Sequence, residues 1–367
     1  MGEPMSDGEL TAQTRSRAFE PPARGDVRSV ALTGLFVLAF FYTIYFTRSI
    51  LLPLILAVIL SYLVRPVVRG LGRLRIPAGV AAALILLVVV GGTAFGISFL
   101  AAPANGWLQK APESLQQLQR KLLPLRQRIE HAAQANVAIE KMASAPNAQT
   151  KTVELKQHPV TDLLYFRTPQ VLMSAVLLLI LLYFLLAYEG QFLPKVINLM
   201  PQLADKKRAV SIAHEIEAHL SRYLVTVAII NACLGLAVGT SVGLLGLPNA
   251  PLWGVLVAVL NFVPYLGAFT GIICMTLGSV LSYDNLGYAL IFPGIYLAFV
   301  TVEGNFITPL VMGKTLTLNP LMIVLALAFW GWMWGVVGVI LAVPILAAFK
   351  IFCAHIESLE PIAEFLS

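Results

Sequence analysis

The chain has 367 residues, of which 58% are hydrophobic and 12% are charged, with a formal net charge of +6 and a mean hydropathy of +0.81. So apolar a composition excludes an ordinary soluble domain and indicates a membrane protein. The three cysteines lack the spacing of a disulfide framework or a zinc site, and no basic and aromatic surface of a nucleic-acid-binding type is present. We therefore expect no metal, no cofactor and no nucleic-acid partner.

The apolar windows predict a polytopic all-α membrane protein. A helix needs about 20 apolar residues to cross a hydrocarbon core roughly 30 Å thick. The candidate windows are 29–47, 49–64, 79–104, 169–188, 223–247, 252–282, 286–308 and 320–349. We expect about 6–8 crossings, the number depending on whether the two long segments 252–282 and 320–349 cross or are re-entrant.

The distribution of charge predicts the orientation of these windows. Arginines are concentrated before the first window and in the loop after the second, so both regions should be cytoplasmic. The arm 1–28 is then cytoplasmic, 29–104 holds the first three transmembrane helices, and 105–168 is an extracytoplasmic helical segment. The amphipathic helix in that segment contacts either a neighbouring subunit or the membrane domain of its own chain.

The second half of the chain is predicted to hold the transport machinery. The fourth transmembrane helix is 169–188, and 189–222 is a cytoplasmic amphipathic helix. Residues 223–353 form a core with the two broken segments, and 354–367 is a cytoplasmic tail. Both termini are therefore expected inside the cell, and no region is long enough for a nucleotide-binding domain.

Two motifs that resemble catalytic sites have simpler explanations. The sequence HEIEAH at 214–219 places its histidines five residues apart, which does not put two zinc ligands on one helix face. The sequence GTSVG at 239–243 matches a nucleophile elbow but lies in an apolar run without a strand. Gly235, Gly239 and Gly243 instead form one small-residue face that lets another helix approach closely. We expect no enzymatic activity.

Both long windows contain residues that break a helix. Pro264 removes a backbone donor near the middle of 252–282, Gly267 loosens the chain, and Asn261 supplies a donor and an acceptor beside them. Gly331 and Gly335 lie near the middle of 320–349. Paired discontinuous helices are the best sequence indication of a binding site in a secondary transporter. Two kinked but continuous spans are the alternative.

An acidic residue lies between the two broken segments, in the sequence TVEGNFITPLVMGKT at 301–315. A carboxylate at this position is costly in lipid unless it is paired, protonated or facing water. Glu303 is therefore a candidate proton or cation carrier, although it could instead cap the helix or form a salt bridge at the interface. The neighbouring candidates for the pathway are Asn305, Pro309 and Gly313.

Three stretches resemble a known family: NFVPYLG, then EGNFITPLVMGKTLTLNPL, then FWGWMWGVVGVILAVPILAAFK. Together with the paired N-terminal spans and the Arg65–Pro66 dipeptide, they are similar to the autoinducer-2 exporter family, also described as PerM-like permeases. The resemblance implies a multi-pass bacterial inner-membrane protein that forms homo-oligomers. It implies export of the furanone signal autoinducer-2 in some members and sodium/proton antiport in others.

Three functions remain open from the sequence. The first is a secondary transporter that exports a small polar organic molecule and is driven by an ion gradient. The second is a sodium/proton antiporter, which would need a second intramembrane carboxylate beside Glu303. The third is a membrane scaffold that transports nothing and recruits partners through its amphipathic helices.

Overall fold

The computed structural model describes residues 25–101, 103, 105–106, 160–188, 191, 194–195, 203–312 and 318–367. The predictions for the N-terminal arm up to residue 24, for most of the extracytoplasmic segment and for Gly313 lie outside these residues. Every regular element in the described part of the chain is helical, which confirms the predicted all-α membrane fold.

The helices are α1 (Gly25–Phe46), α2 (Arg48–Arg73), α3 (Ala78–Ala101), α4 (Val160–Ala187), α5 (Leu203–Leu244), α6 (Ala250–Leu260), α7 (Leu266–Ser282), α8 (Leu286–Ala289), α9 (Ile291–Val302), α10 (Thr308–Met312), α11 (Pro320–Ala354) and α12 (Glu360–Phe365). A π-helical turn, Glu303–Ile307, joins α9 to α10, and a 3₁₀ turn, Glu357–Leu359, precedes α12.

The chain divides into two compact units, Met1–Leu51 and Leu52–Ser367. In the first unit, α1 exposes large apolar side chains such as Phe36 and Leu38. In the second unit, α3 does the same with Leu87 and Phe95. Apolar surfaces of this extent are typical of helices that face lipid rather than water.

Helix α5 organises the second half of the fold. Its 42 residues correspond to about 63 Å at 1.5 Å per residue. The amphipathic region and the apolar span that follows it, which the sequence analysis treats separately, form one continuous helix from Leu203 to Leu244.

The glycine face of α5 is in contact with α6, which runs back along it. Gly239 lies against the Cα of Gly254, and Gly243 lies against the side chain of Ala250. A Cβ on Gly235 would come within 2.5 Å of the carbonyl oxygen of Gly254. The structure confirms that these small residues allow close helix packing.

A buried cluster holds α5, α6, α7 and α9 together. Its central members are Val238, Val257, Met275, Phe292 and Tyr296, all without exposed surface. The cluster therefore ties α6 and α7, the two helices on either side of Asn261, to α5 and α9.

Candidate functional site

The segment 252–282 is a helical hairpin, which we call the first hairpin (Ala250–Ser282). Helix α6 ends at Leu260, and α7 begins at Leu266. The indole of Trp253 lies directly against Gly278, although 25 positions separate them in the chain. The two ends of the hairpin therefore meet at its base, and its tip is at residues 261–265.

The tip has the strained backbone that a tight reversal requires. Tyr265 has φ 62° and ψ −54°, a combination that L residues rarely adopt. A Cβ on Gly267 would overlap the carbonyl oxygen of Leu260, so only glycine allows the two arms to approach so closely. Pro264 cannot donate a backbone hydrogen bond here, and it keeps the two helices from joining.

Asn261 at the tip is bonded to an asparagine on α5. Its Nδ2 donates to Oδ1 of Asn231 at 2.9 Å. Asn231 is 2% exposed, and its own Nδ2 has no hydrogen-bond partner among the described residues. A buried amide donor without a partner costs roughly 1–3 kcal/mol, so such a group points to a missing ligand or water.

Sequence reasoning overlooked Asn231. The only available signal was one amide side chain inside the apolar window 223–247. The pairing with Asn261 depends on the antiparallel packing of α5 and α6, which periodicity does not specify.

Helix α9 carries two further polar groups toward the same region. Tyr296 is fully buried, its ring lies against Gly271, and its hydroxyl has no partner among the described residues. Glu303 follows seven residues later, which is about two turns along the same face. It begins the π-helical turn, and its Oε1 accepts a hydrogen bond from Oγ1 of Thr308 at 2.5 Å. Single π-helical turns inside α-helices occur frequently at functional sites.

Asn231, Asn261 and Glu303 lie at a similar depth, and we call these three residues the polar layer. The Leu244 end of α5, the start of α6 and the start of α9 share one end of the bundle, because Tyr288 donates from its hydroxyl to the carbonyl of Leu245 at 2.8 Å. Counted along their helices at 1.5 Å per residue, the three residues lie about 17–20 Å from that end. This depth is near the middle of a hydrocarbon core roughly 30 Å thick.

The remaining predicted residues of α9 and α10 lie apart from the polar layer. Asn305 is exposed, and its Nδ2 donates to the carbonyl of Thr301 at 2.9 Å on its own helix. Pro309 is also exposed, within α10.

The segment 320–349 is also a hairpin, which we call the second hairpin (Pro320–Ala354). Its chain reverses at Gly335, where φ is 65° and ψ is −145°. Gly338 lies directly against the carbonyl of Trp330, whereas eight residues of straight helix would separate them by about 12 Å. Although its length and composition alone suggest a single crossing, α11 therefore consists of two arms of about 22 and 28 Å.

The base of the second hairpin lies against α5 far from that of the first, in the direction of the Leu203 end. Ala347 and Ile351 of the returning arm form a buried cluster with Leu220 on α5, and Leu318 before the hairpin packs against this cluster. Among the described elements, α11 packs closely with α5 and with the C-terminal helices rather than with the first hairpin. Gly331 and Gly335 are thus brought to a tip of their own, where the buried Nε1 of Trp334 has no partner among the described residues.

Comparison with known proteins shows similarity to membrane transport proteins. Residues 35–358 match the model of the AI-2E family transporter. The chain is 28% identical over 329 residues to the AI-2 transport protein TqsA of Escherichia coli (strain K12), covering 88% of this chain and 91% of that protein. It is 25% identical over 309 residues to the putative transport protein YhhT of the same strain, covering 84% and 85%. It is 30% identical over 308 residues to the putative transport protein MT0215 of Mycobacterium tuberculosis (strain CDC 1551 / Oshkosh), covering 82% and 81%.

The family match extends through both hairpins, the π-helical turn and the long helix α5. The resemblance found in the three sequence stretches is therefore confirmed. The chain belongs to the AI-2E family of transporters and is a multi-pass membrane transport protein.

Proposed function

We propose that this protein is a secondary transporter that exports a small polar organic molecule similar to autoinducer-2 and binds it at the polar layer. The coverage of nearly the whole chain by TqsA, whose name describes AI-2 transport, supports this class of substrate. The observation that carries the proposal is the unpartnered Nδ2 of the buried Asn231, beside the break at the tip of the first hairpin.

The polar layer matches the hydrogen-bonding needs of a hydroxyl-bearing molecule. A hydroxyl group donates one hydrogen bond and accepts others, so it needs partners of both kinds. The amide of Asn231 offers a donor, whereas the carboxylate of Glu303 offers acceptors. At mid-membrane depth a ligand would satisfy groups that lipid leaves unsatisfied.

Glu303 is also the residue that we propose couples transport to an ion gradient. Its carboxylate is half-buried and is held by the hydroxyl of Thr308 at 2.5 Å, with an apolar face of α9 around it. An ionised carboxylate in lipid is costly, so binding a proton or a cation would ease its movement between two conformations. A π-helical turn is less stable than a regular α-helix, so its backbone can change conformation during such a movement.

Sodium/proton antiport is less well supported by the geometry. Antiporters bring carboxylates together so that a cation and a proton compete for them. Asp284 lies near the base of the first hairpin, whereas Glu303 lies about 18 Å along α9 from that end. The inner-membrane location, the homo-oligomeric state and the cytoplasmic position of both termini remain predictions.

Substituting Glu303 tests the proposed coupling. The purified protein is reconstituted in liposomes, and entry of autoinducer-2 is measured with and without an imposed pH or sodium gradient. We expect Glu303→Gln to keep the shape of the side chain, to retain slow downhill transport and to lose stimulation by the gradient. If Glu303→Gln responds to both gradients as strongly as the unsubstituted protein, Glu303 does not couple transport.

Substituting Asn231 tests the binding site separately. Loss of one hydrogen bond of about 1–1.5 kcal/mol corresponds to roughly a tenfold change in affinity. We expect Asn231→Ala to weaken autoinducer-2 binding by about this factor, measured by isothermal titration. Thr240→Ala is the matched control, because Thr240 is exposed on the same helix and its hydroxyl bonds to the carbonyl of Leu236. Equal affinities of the two variants would contradict a substrate site at Asn231.

A further inference from the structure

A cleft that plays no part in the proposed transport site lies between α2, α3 and α5. At one end is a polar pocket of about 630 Å³, lined by Arg69, His214, Glu217, Ser221 and Arg222 among others. At the other end is an apolar groove of about 640 Å³. Pro66 and Val225 line both spaces, so the two spaces form one cleft with a charged end and an apolar end.

The charged end carries more positive than negative charge. The carboxylate of Glu217 forms ion pairs with both Arg65 and Arg69. Arg222 lines the same pocket and has no ion pair or hydrogen bond with the part of the chain that the structure describes. Among the described residues that line the pocket, two arginines accompany one carboxylate, so the lining carries positive charge that an anion can neutralise.

The pocket is also held in place before any ligand arrives. The side chains of Arg65 and Glu217 are only 13% and 19% exposed, and the guanidinium of Arg65 lies 5.0 Å from the centre of the Tyr62 ring. The hydroxyl of Ser221 donates to the carbonyl of Tyr62 at 2.8 Å, which fastens α5 to α2 beside the pocket. Little side-chain freedom remains to be lost when an anion binds.

The apolar end shows what kind of anion the cleft accepts. The described side chains that line the groove are all aliphatic. They come from three helices: α2 between Leu63 and Leu71, α3 between Leu84 and Val89, and α5 between Val225 and Ala232. A small soluble anion gains nothing from such a surface. A molecule with a charged head and a hydrocarbon chain would bury the chain there, at about 0.8 kcal/mol per CH₂ group.

We propose that this cleft binds an anionic phospholipid, with its phosphate at Arg69 and Arg222 and one acyl chain in the groove. Guanidinium groups bind phosphate oxygens through paired hydrogen bonds, and basic pockets between transmembrane helices are suited to lipid head groups. The pocket adjoins the arginine-rich turn at 65–75, which the distribution of charge places at the cytoplasmic leaflet. The lipid would brace the junction of α2, α3 and α5 independently of the polar layer.

The experiment titrates lipid onto the purified full-length protein in detergent and counts bound molecules by native mass spectrometry. Phosphatidylglycerol is compared with phosphatidylcholine, and glycerol phosphate serves as the free-anion probe. We expect phosphatidylglycerol to bind the unsubstituted protein at least about tenfold more tightly than phosphatidylcholine. Both lipids carry a phosphate, but the choline cation of phosphatidylcholine cancels its charge and would be repelled by the arginines. Equal affinity for the two lipids would overturn the proposal, and so would glycerol phosphate binding as tightly as phosphatidylglycerol.

Two pairs of variants examine the two ends of the cleft. The double change Arg69→Gln and Arg222→Gln should reduce phosphatidylglycerol affinity to that of phosphatidylcholine, whereas Arg73→Gln, outside the pocket, should leave it unchanged. Ala232→Trp should fill the groove and weaken both lipids, whereas Leu236→Trp, one turn further along an exposed face, should weaken neither.

Circular dichroism confirms that each variant is folded, and Ala232→Trp tests the groove even if the arginine variant unfolds. Unchanged lipid affinity in either test variant contradicts the site. Disulfide-linked dimers formed through Ala232→Cys would show that a second copy of the chain covers the groove, which also overturns the lipid assignment.

Discussion

Glycine acts at single positions of this protein by allowing helices to approach one another. Gly254 on α6 faces Gly235 and Gly239 on α5, and a Cβ there would come within 2.7 Å of the carbonyl oxygen of Gly235. Gly294 on α9 has no atom of the described residues within 4 Å of the position that a Cβ would take. The same residue type is therefore a packing requirement at one position and only a weak helix former at the other.

This contrast predicts opposite effects of two alanine substitutions. We expect Gly254→Ala to separate α5 from α6 and to cost about 1–3 kcal/mol, because neither backbone can yield easily. Gly294→Ala should be neutral or should stabilise by up to about 1 kcal/mol through better helix propensity. Thermal unfolding in detergent measures both, and an equal midpoint for the two variants would contradict the packing role of Gly254.

At the scale of the helices, the main feature is that both long apolar segments are broken into hairpins. The first hairpin is interrupted over five residues, and Pro264 and Gly267 mark the break in the sequence. The second hairpin reverses around one residue, Gly335, within an otherwise regular helical stretch. The dihedral angles of Gly335 lie close to a region that is almost restricted to glycine.

A substitution at Gly335 tests the backbone strain of the reversal separately from any change in side-chain packing. Within the described part of the chain, no atom lies within 4 Å of its Cβ position, so an alanine would meet no obstacle there except its own backbone. We expect Gly335→Ala to destabilise the protein by about 1–3 kcal/mol, whereas Gly304→Ala, also with open space but without a positive φ, should have a much smaller effect. Unfolding midpoints that fall equally in both variants would show that the reversal does not depend on the backbone of Gly335.

At the scale of the whole molecule, the two hairpins have their bases at well-separated positions along α5. The base of the first is near Leu244, and the base of the second is near Leu220. These positions are 24 residues apart on one helix, which corresponds to about 36 Å and exceeds the hydrocarbon thickness. The two bases should therefore face different compartments.

Cysteine accessibility checks this arrangement. In a variant without the three native cysteines, Asp284→Cys marks the base of the first hairpin, and Glu357→Cys follows the second. We expect a membrane-impermeant thiol reagent to label Asp284→Cys in intact cells and Glu357→Cys only in inverted vesicles, as the distribution of arginines predicts. Labelling of both positions from one side would mean that one hairpin crosses the membrane.

The sequence by itself determined that this protein lies in a membrane and that its two long apolar segments contain residues that weaken a helix. Composition, window length, proline and glycine act locally, so these features need no knowledge of neighbouring helices. The tertiary structure alone decided that Asn231 pairs with Asn261, that Glu303 begins a π-helical turn and that the second hairpin reverses at Gly335. Those outcomes depend on which helix faces meet across many residues of chain, and almost uniformly apolar helices carry too little periodic pattern to specify that choice.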